Sequence, residues 1–264
     1  MQNPRKYGLP PYSTAVIHGG PGASGEMASV ARELSALCGI IEPLQTKSSI
    51  LGQVVELHEQ LSRNAALPVT LAGFSWGAWL SVIYAAEQPA MVKKLVLISS
   101  GPFEQSYASS IQAERMKRLG KKEISEIEFL MDALENPAAR NKDKIFTRIG
   151  EIMSRTDTYR PLDGEGGKTE INNGIYKSVW KEAEDLRKTG RLMEYVKRIK
   201  CPVTAIHGDF DPHPAAGVEK PLSKALKNFK FTLLKNCGHT PWLEKLARNE
   251  FYEILKKELD LAVS

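Results

Sequence analysis

The sequence predicts an α/β protein: a mostly parallel sheet of about six core strands, helices on both faces, and one helical insertion. Three observations lead there. Short apolar runs alternate with stretches whose apolar residues recur at helical spacing. The runs are almost continuously apolar, as strands covered on both faces must be. The middle of the chain, 102–200, is charge-rich and helical in spacing and shows no clear strand. Residues 1–101 and 201–264 therefore read as one core that the insertion interrupts.

The elements follow in order. Residues 13–17 read as a strand, and Met27, Val30, Leu34 and Leu37 as the apolar face of a helix. Residues 39–41 form a second short apolar run, followed by a helical stripe of Ile50, Val54, Leu57 and Leu61. Residues 69–72 are a strand, and 78–86 a helix that stops before Pro89. The strand at 95–99 runs into a Gly-Pro loop. The insertion is broken by a glycine-rich loop, DGEGGK, at 163–168. Alternation returns with strands at 203–206 and 229–233, and a last helix aligns Phe251, Ile254, Leu255 and Leu259. There is no internal repeat.

Composition narrows the class. A chain of 264 residues with 42% hydrophobic and 25% charged side chains can bury one large core. The net charge of +5 is dispersed: the insertion alone holds 20 basic and 17 acidic residues, interleaved. This is a solvated surface rather than a nucleic-acid face. Three cysteines without a CxxC argue against a disulfide framework and for a reducing compartment. No apolar signal core follows MQNPRKYGLPPY, and the most apolar stretch, 71–86, is shorter than a membrane span. The expectation is a cytoplasmic protein with neither membrane nor nucleic acid as partner.

The chemistry starts at GFSWG, residues 73–77, between a buried strand and a buried helix. In a parallel sheet, ligands bind at the carboxyl ends of strands. Gly73 and Gly77 permit a tight strand-to-helix turn that exposes Ser75. A serine hydroxyl needs a base, normally a histidine oriented by a carboxylate. Of the five histidines, His58 lies in a helical stripe, while His18 and His207 end strands and read as loop-shaping residues. His213, in DPHPAAG, could line a pocket. His239, in NCGHTPWLEK, follows the last core strand, where a loop can carry a base over Ser75. The carboxylate should follow the preceding strand, and spacing leaves Asp209 and Asp211 equally eligible. HGGPG, at 18–22, offers the backbone N–H of Gly20 as one oxyanion donor, and the N–H of Trp76 supplies the other. Phe74, Phe103, Phe210 and Trp242 adjoin these motifs and could form an apolar pocket wall. No histidine-carboxylate spacing suggests a metal site, and no cofactor is expected.

Together HGGPG, GFSWG, HGDFD at 207–211 and CGHTPW at 237–242 resemble the α/β-hydrolase family, over most of the chain. In that family a G-x-x-D after a late strand supplies the acid. Gly208-Asp209-Phe210-Asp211 matches it, which favours Asp211. The resemblance implies a Ser75–Asp211–His239 triad, and a cap or lid at 102–200 that governs substrate choice. HGGPG with S-W-G is also similar to prolyl aminopeptidases. Against their usual pattern, Phe74 replaces a glycine and Ile41-Glu42-Pro43-Leu44-Gln45 replaces a D-x-R-G-like loop. Their amine-binding cap acids cannot be matched to Glu182, Glu184 or Asp185. The N-terminal hairpin common in the family is expected to be missing or vestigial. The implied function is a serine hydrolase acting on an ester, amide or related small acyl substrate. The alternatives are a prolyl aminopeptidase-like enzyme, a C–C bond hydrolase, or a ligand-binding protein of the same fold.

Overall fold

The computed structural model describes residues 2–136, 138–163 and 170–261. Its centre is a seven-stranded sheet in the order β1-β4-β2-β5-β6-β8-β9. Six strands are parallel neighbours: β2 (Tyr12–Ile17), β4 (Gly39–Glu42), β5 (Val69–Phe74), β6 (Val92–Ile98), β8 (Val203–Gly208) and β9 (Phe229–Leu234). They are the six expected from the apolar runs. The seventh, β1 (Arg5–Tyr7), pairs antiparallel with β4 at one edge. What remains of the N-terminal hairpin is thus a single three-residue strand, too short to show periodicity. A two-residue ribbon of β3 (Ala23–Ser24) and β7 (Glu170–Ile171) joins the segment after β2 to the insertion, where no strand was expected. Two residues carry no alternation for a sequence to reveal.

Alternation along the strands divides the core in two. Ile17, Leu71, Leu95, Leu97 and Ala205 face one layer, with α2 (Ile50–Asn64) and α3 (Trp76–Glu87). Val16, Ala72, Val96, Ile98 and Ile206 face the other, with α1 (Ala28–Leu34) and α11 (Arg248–Glu258). Ser49 starts α2 by accepting the N–H of Gly52 at 3.1 Å. Every residue of α3 from Trp76 to Ala86 is buried, which explains why its sequence is apolar all round.

Between β6 and β8 the chain forms α4 (Gln105–Ala108), α5 (Ile111–Lys117), α6 (Lys121–Glu135), α7 (Lys142–Thr156), α8 (Asn173–Lys188) and α9 (Arg191–Arg198). Helices α6 and α7 pack on each other, while α8 lies on α2 and α9 on α3. Trp180 of α8 stacks on Trp79 of α3 at 5.9 Å between ring centroids. The glycine-rich loop anticipated at 163–168 lies, apart from Asp163, outside the described residues. Helix α10 (Ala216–Ala225) connects β8 to β9. Cys38, Cys201 and Cys237 are unpaired. Among the described residues no helix is long and apolar enough to cross a membrane.

The sheet sets its active edge through close backbone approaches. A Cβ on Gly208, at the end of β8, would overlap the carbonyl oxygen of Cys237. Gly150, in mid-α7, has nothing within 4 Å of an added Cβ. Gly208→Ala is expected to destabilise the fold by roughly 1–3 kcal/mol through overpacking. Gly150→Ala should stabilise it by up to about 1 kcal/mol through helix propensity. Thermal unfolding followed by circular dichroism checks both: equal midpoints would contradict the close-approach argument.

Candidate active site

The loops after β2, β5, β8 and β9 meet at the carboxyl edge of the sheet. Ser75 occupies the turn between β5 and α3 with φ 51° and ψ −114°, a conformation that costs a non-glycine residue energy. A Cβ on Gly73 would overlap the carbonyl oxygen of Gly77, and one on Gly77 would overlap that of Ile17 in β2. Both glycines are therefore required by contact. The Ser75 N–H donates to the Ile98 carbonyl at 2.9 Å, which ties the turn to β6.

Ser75 Oγ lies 3.1 Å from Nε2 of His239, and Nδ1 of His239 lies 2.7 Å from Oδ2 of Asp211. The chain of contacts fixes the tautomer: Nδ1–H donates to the carboxylate, leaving Nε2 to accept from the hydroxyl. Of the two acids that spacing left open, Asp211 meets His239. Asp209 instead accepts the Cys237 N–H at 3.3 Å and lies 3.7 Å from Lys235 Nζ.

The electrostatics follow from burial and neighbours. Burial opposes charge on Asp211, but His239, His213 and His207 hold its carboxyl well below the usual carboxylate range. Burial also opposes charge on His239, yet Asp211, by charge and hydrogen bond, and Asp157 raise the imidazole above its ordinary value. His18 is fully buried, and that burial pushes it down to about 4. Its Nε2 accepts the Gln45 N–H at 3.1 Å and its carbonyl accepts Gln45 Nε2–H at 2.8 Å, so it shapes the HGGPG loop as its sequence position suggested.

The backbone N–H groups of Gly20 and Trp76 make no hydrogen bond among the described residues. Phe74 is buried with its ring 4.9 Å from that of His239 and 4.7 Å from that of Trp242. Trp242 in turn packs on Phe251. Phe103 is fully buried against Trp79. Phe210 packs on Tyr159 beneath the Arg118 guanidinium, 3.8 Å from its ring centre.

Several participants had no signal in the sequence. Glu244, completely buried, accepts the N–H groups of Tyr159 (2.8 Å), Arg160 (2.7 Å) and Gly238 (2.8 Å). The His239 N–H donates to the Asp157 carbonyl at 2.7 Å, and the Asp157 carboxylate is held by Arg115 of α5. His213 donates Nδ1–H to Oδ1 of Asp211 at 2.8 Å. Ligating atoms of Asp211, His213 and His239 come within 4.8 Å of one another, a cluster that linear spacing did not suggest. Both Asp211 oxygens and both His239 nitrogens are engaged in hydrogen bonds.

No family model matches the chain. It is 25% identical over 204 residues to monoacylglycerol lipase ABHD6 of Homo sapiens, a match covering 75% of this chain and 57% of that protein. The chain thus spans little more than half the length of such relatives. It is 25% identical over 276 residues to a proline iminopeptidase of Lactobacillus crispatus (strain ST1), covering 93% of this chain and 89% of that one. Among solved structures, a Paleococcus ferrophilus monoacylglycerol lipase superimposes with a TM-score of 0.60 at 17% identity over 98% of both chains. With its parallel sheet, its serine on the turn after β5 and these structural likenesses taken together, the chain has the α/β-hydrolase fold.

Proposed function

We propose that this protein is a serine hydrolase that cleaves an ester, amide or related acyl substrate. One observation supports the reading above the others: Ser75, His239 and Asp211 lie in hydrogen-bonded sequence, at 3.1 and 2.7 Å, and the backbone N–H groups of Gly20 and Trp76 have no partner among the described residues. Ser75 Oγ attacks the acyl carbon while its proton passes to His239 Nε2. The N–H groups of Gly20 and Trp76 hold the oxyanion. The bond to the leaving group breaks, and the leaving group takes the proton from His239. Water then attacks the acyl-enzyme, giving its proton to His239, and Ser75 recovers it as the acid departs. Asp211 holds the Nδ1–H tautomer and stabilises the imidazolium.

In this reading residues 102–200 are a cap, whose α8 and α9 sit on the core helices and whose Arg118, just past α5, reaches the Phe210 carbonyl beside Asp211. Phe74, in contact with the His239 ring, is the best placed of the four aromatic residues to border the acyl group. A second reading, an aminopeptidase acting on N-terminal proline, draws on the HGGPG and S-W-G motifs. The likeness to proline iminopeptidase across 93% of the chain also favours it.

Intact mass after fluorophosphonate treatment should show one adduct that Ser75→Ala abolishes. That substitution should lower turnover by about a million-fold. No adduct on the folded native chain would favour a ligand-binding role. A panel of p-nitrophenyl esters alongside proline-p-nitroanilide separates the two enzymatic readings.

The base works unprotonated, and its pKa is raised. The value of kcat/KM should therefore fall on acidification with a midpoint above 6.5, the ordinary imidazole value. Asp211→Asn should move the midpoint down and lower kcat by about 10⁴. A kcat/KM that did not fall on acidification would contradict the assignment of His239 as the base.

A further inference from the structure

Asp211 is bonded from both sides. Oδ2 accepts Nδ1–H of His239 at 2.7 Å, while Oδ1 accepts both the backbone N–H of His213 at 2.9 Å and its Nδ1–H at 2.8 Å. The His213 carbonyl in turn accepts Nε2–H of His207 at 2.8 Å, which pins the loop. The backbone N–H already orients the carboxylate, so the imidazole of His213 is superfluous for orientation. Its ring lies 4.6 Å from that of His239, centre to centre, and tilted by 33°. Two imidazoles therefore sit side by side on one carboxylate.

A donor on Oδ1 stabilises the negative charge of Asp211 and weakens its hold on the proton shared with His239. We propose that His213 is a positioning residue that sets the basicity of His239 through Asp211, holding the base closer to the working pH than a carboxylate with one imidazole would. The proposal rests on the serine-hydrolase reading only for its catalytic consequence; the proton distribution itself is a property of the folded chain.

The surroundings keep the two rings distinct. Burial, with His239 and Arg115 adding to it, lowers His213 despite the pull of Asp211. His239 shifts the other way. A second positive charge 4.6 Å from the first is unfavourable, so the pair takes up one proton, on His239. The groups that face this pair are Asp211, Asp157, Arg115, His207 and Glu26. Glu26 is buried, with Oε2 unpartnered, and burial pushes it up to about 7, partly offset by His239. It is common to every variant below, so differences between variants report His213.

The test separates the hydrogen bond from the packing. His213→Phe keeps a ring against His239 and removes the donor; His213→Asn keeps a donor at the Nδ1 position and removes the ring. The pKa of His239 is read by NMR of ¹³C-labelled histidine, which needs no turnover, and kcat/KM is followed against pH with a p-nitrophenyl ester. His213→Phe should raise the His239 pKa by roughly half to one pH unit. At pH 6.5 this lowers kcat/KM about three- to tenfold, while at pH 9 the rate stays within about twofold of wild type and KM holds. His213→Asn should match wild type in both readouts. A His239 pKa unchanged in His213→Phe, or lowered, overturns the proposal. So does a shift in His213→Asn without one in His213→Phe. If the wild type neither labels nor turns over, the hydrolase reading fails, while the NMR titration still decides this one.

Discussion

The architecture of the site depends on how closely β5, α3 and β2 approach one another at Gly73 and Gly77. With no side chain at either position, the Gly77 carbonyl sits over Gly73 and the Ile17 carbonyl over Gly77. That closeness forces the backbone of Ser75 to φ 51°. The strain is sustained because both flanking elements are buried along their length and the Ser75 N–H is bonded to Ile98. Two consequences follow. The hydroxyl stands clear of the sheet instead of lying in its plane. The first N–H of α3, at Trp76, and the loop leaving β2, at Gly20, are brought to the same edge by one packing contact. A side chain at Gly77 would disturb the Ser75 turn and the loop leaving β2 together.

His239 is held by a second set of contacts, in which its loop is bonded both to the turn after β8, where the Cys237 carbonyl accepts the Phe210 N–H, and to the segment that ends α7. Asp157 accepts its N–H, and Glu244 gathers Gly238, Tyr159 and Arg160. A buried carboxylate is costly unless its oxygens are satisfied, and three backbone donors satisfy this one. Two arginines of the α5 region extend the frame. Arg115 takes the Asp157 carboxylate, and Arg118 bridges the carbonyls of Thr156 and Phe210 at 2.8 Å each, next to Asp211. Acid and base loops are thereby fastened to the same short segment of the helical insertion. Ser75 is set by the sheet, while His239 and Asp211 are braced both by the turn after β8 and by the helical insertion.

This division explains what could be read from the sequence. The six parallel strands were legible because each is a largely apolar run closed by glycine, proline or a turn, and all but the edge strand β9 are mostly buried. The turn at Ser75 was legible because a tight turn leaves glycines at fixed offsets, and the meeting of Ser75 with His239 because few histidines follow a core strand. Asp209 and Asp211 could not be separated by spacing, since both lie just past β8; the family pattern favoured Asp211, and the turn geometry brings that residue to His239. Strands β1, β3 and β7 were invisible because two or three residues have no period. Glu244 and Asp157 were invisible because their partners are remote: Tyr159 and Glu244 stand 85 residues apart. The aromatic residues beside the motifs show the limit of adjacency. Phe103 and Trp242 neighbour the site in sequence, yet both are buried against other core aromatics, which satisfies a large ring without any ligand.

The charges around Asp211 show why the acid lies deep rather than at the surface. Three imidazoles surround it, and its own side chain has no exposed surface. In water such a carboxylate would be stabilised by solvent and would attract the His239 proton weakly; here every donor it has is supplied by the protein. That arrangement makes the distribution of donors between its two oxygens decisive. Oδ1 is engaged by the 211–213 turn alone, and Oδ2 is turned to His239 with His207 3.5 Å behind it. A carboxylate that gave both oxygens to His239 would bind the imidazolium tightly and slow the return of its proton. One that gave neither would leave the tautomer unfixed. Dividing the two oxygens between local turn and distant loop fixes the Nδ1–H tautomer and leaves Nε2 to accept from Ser75.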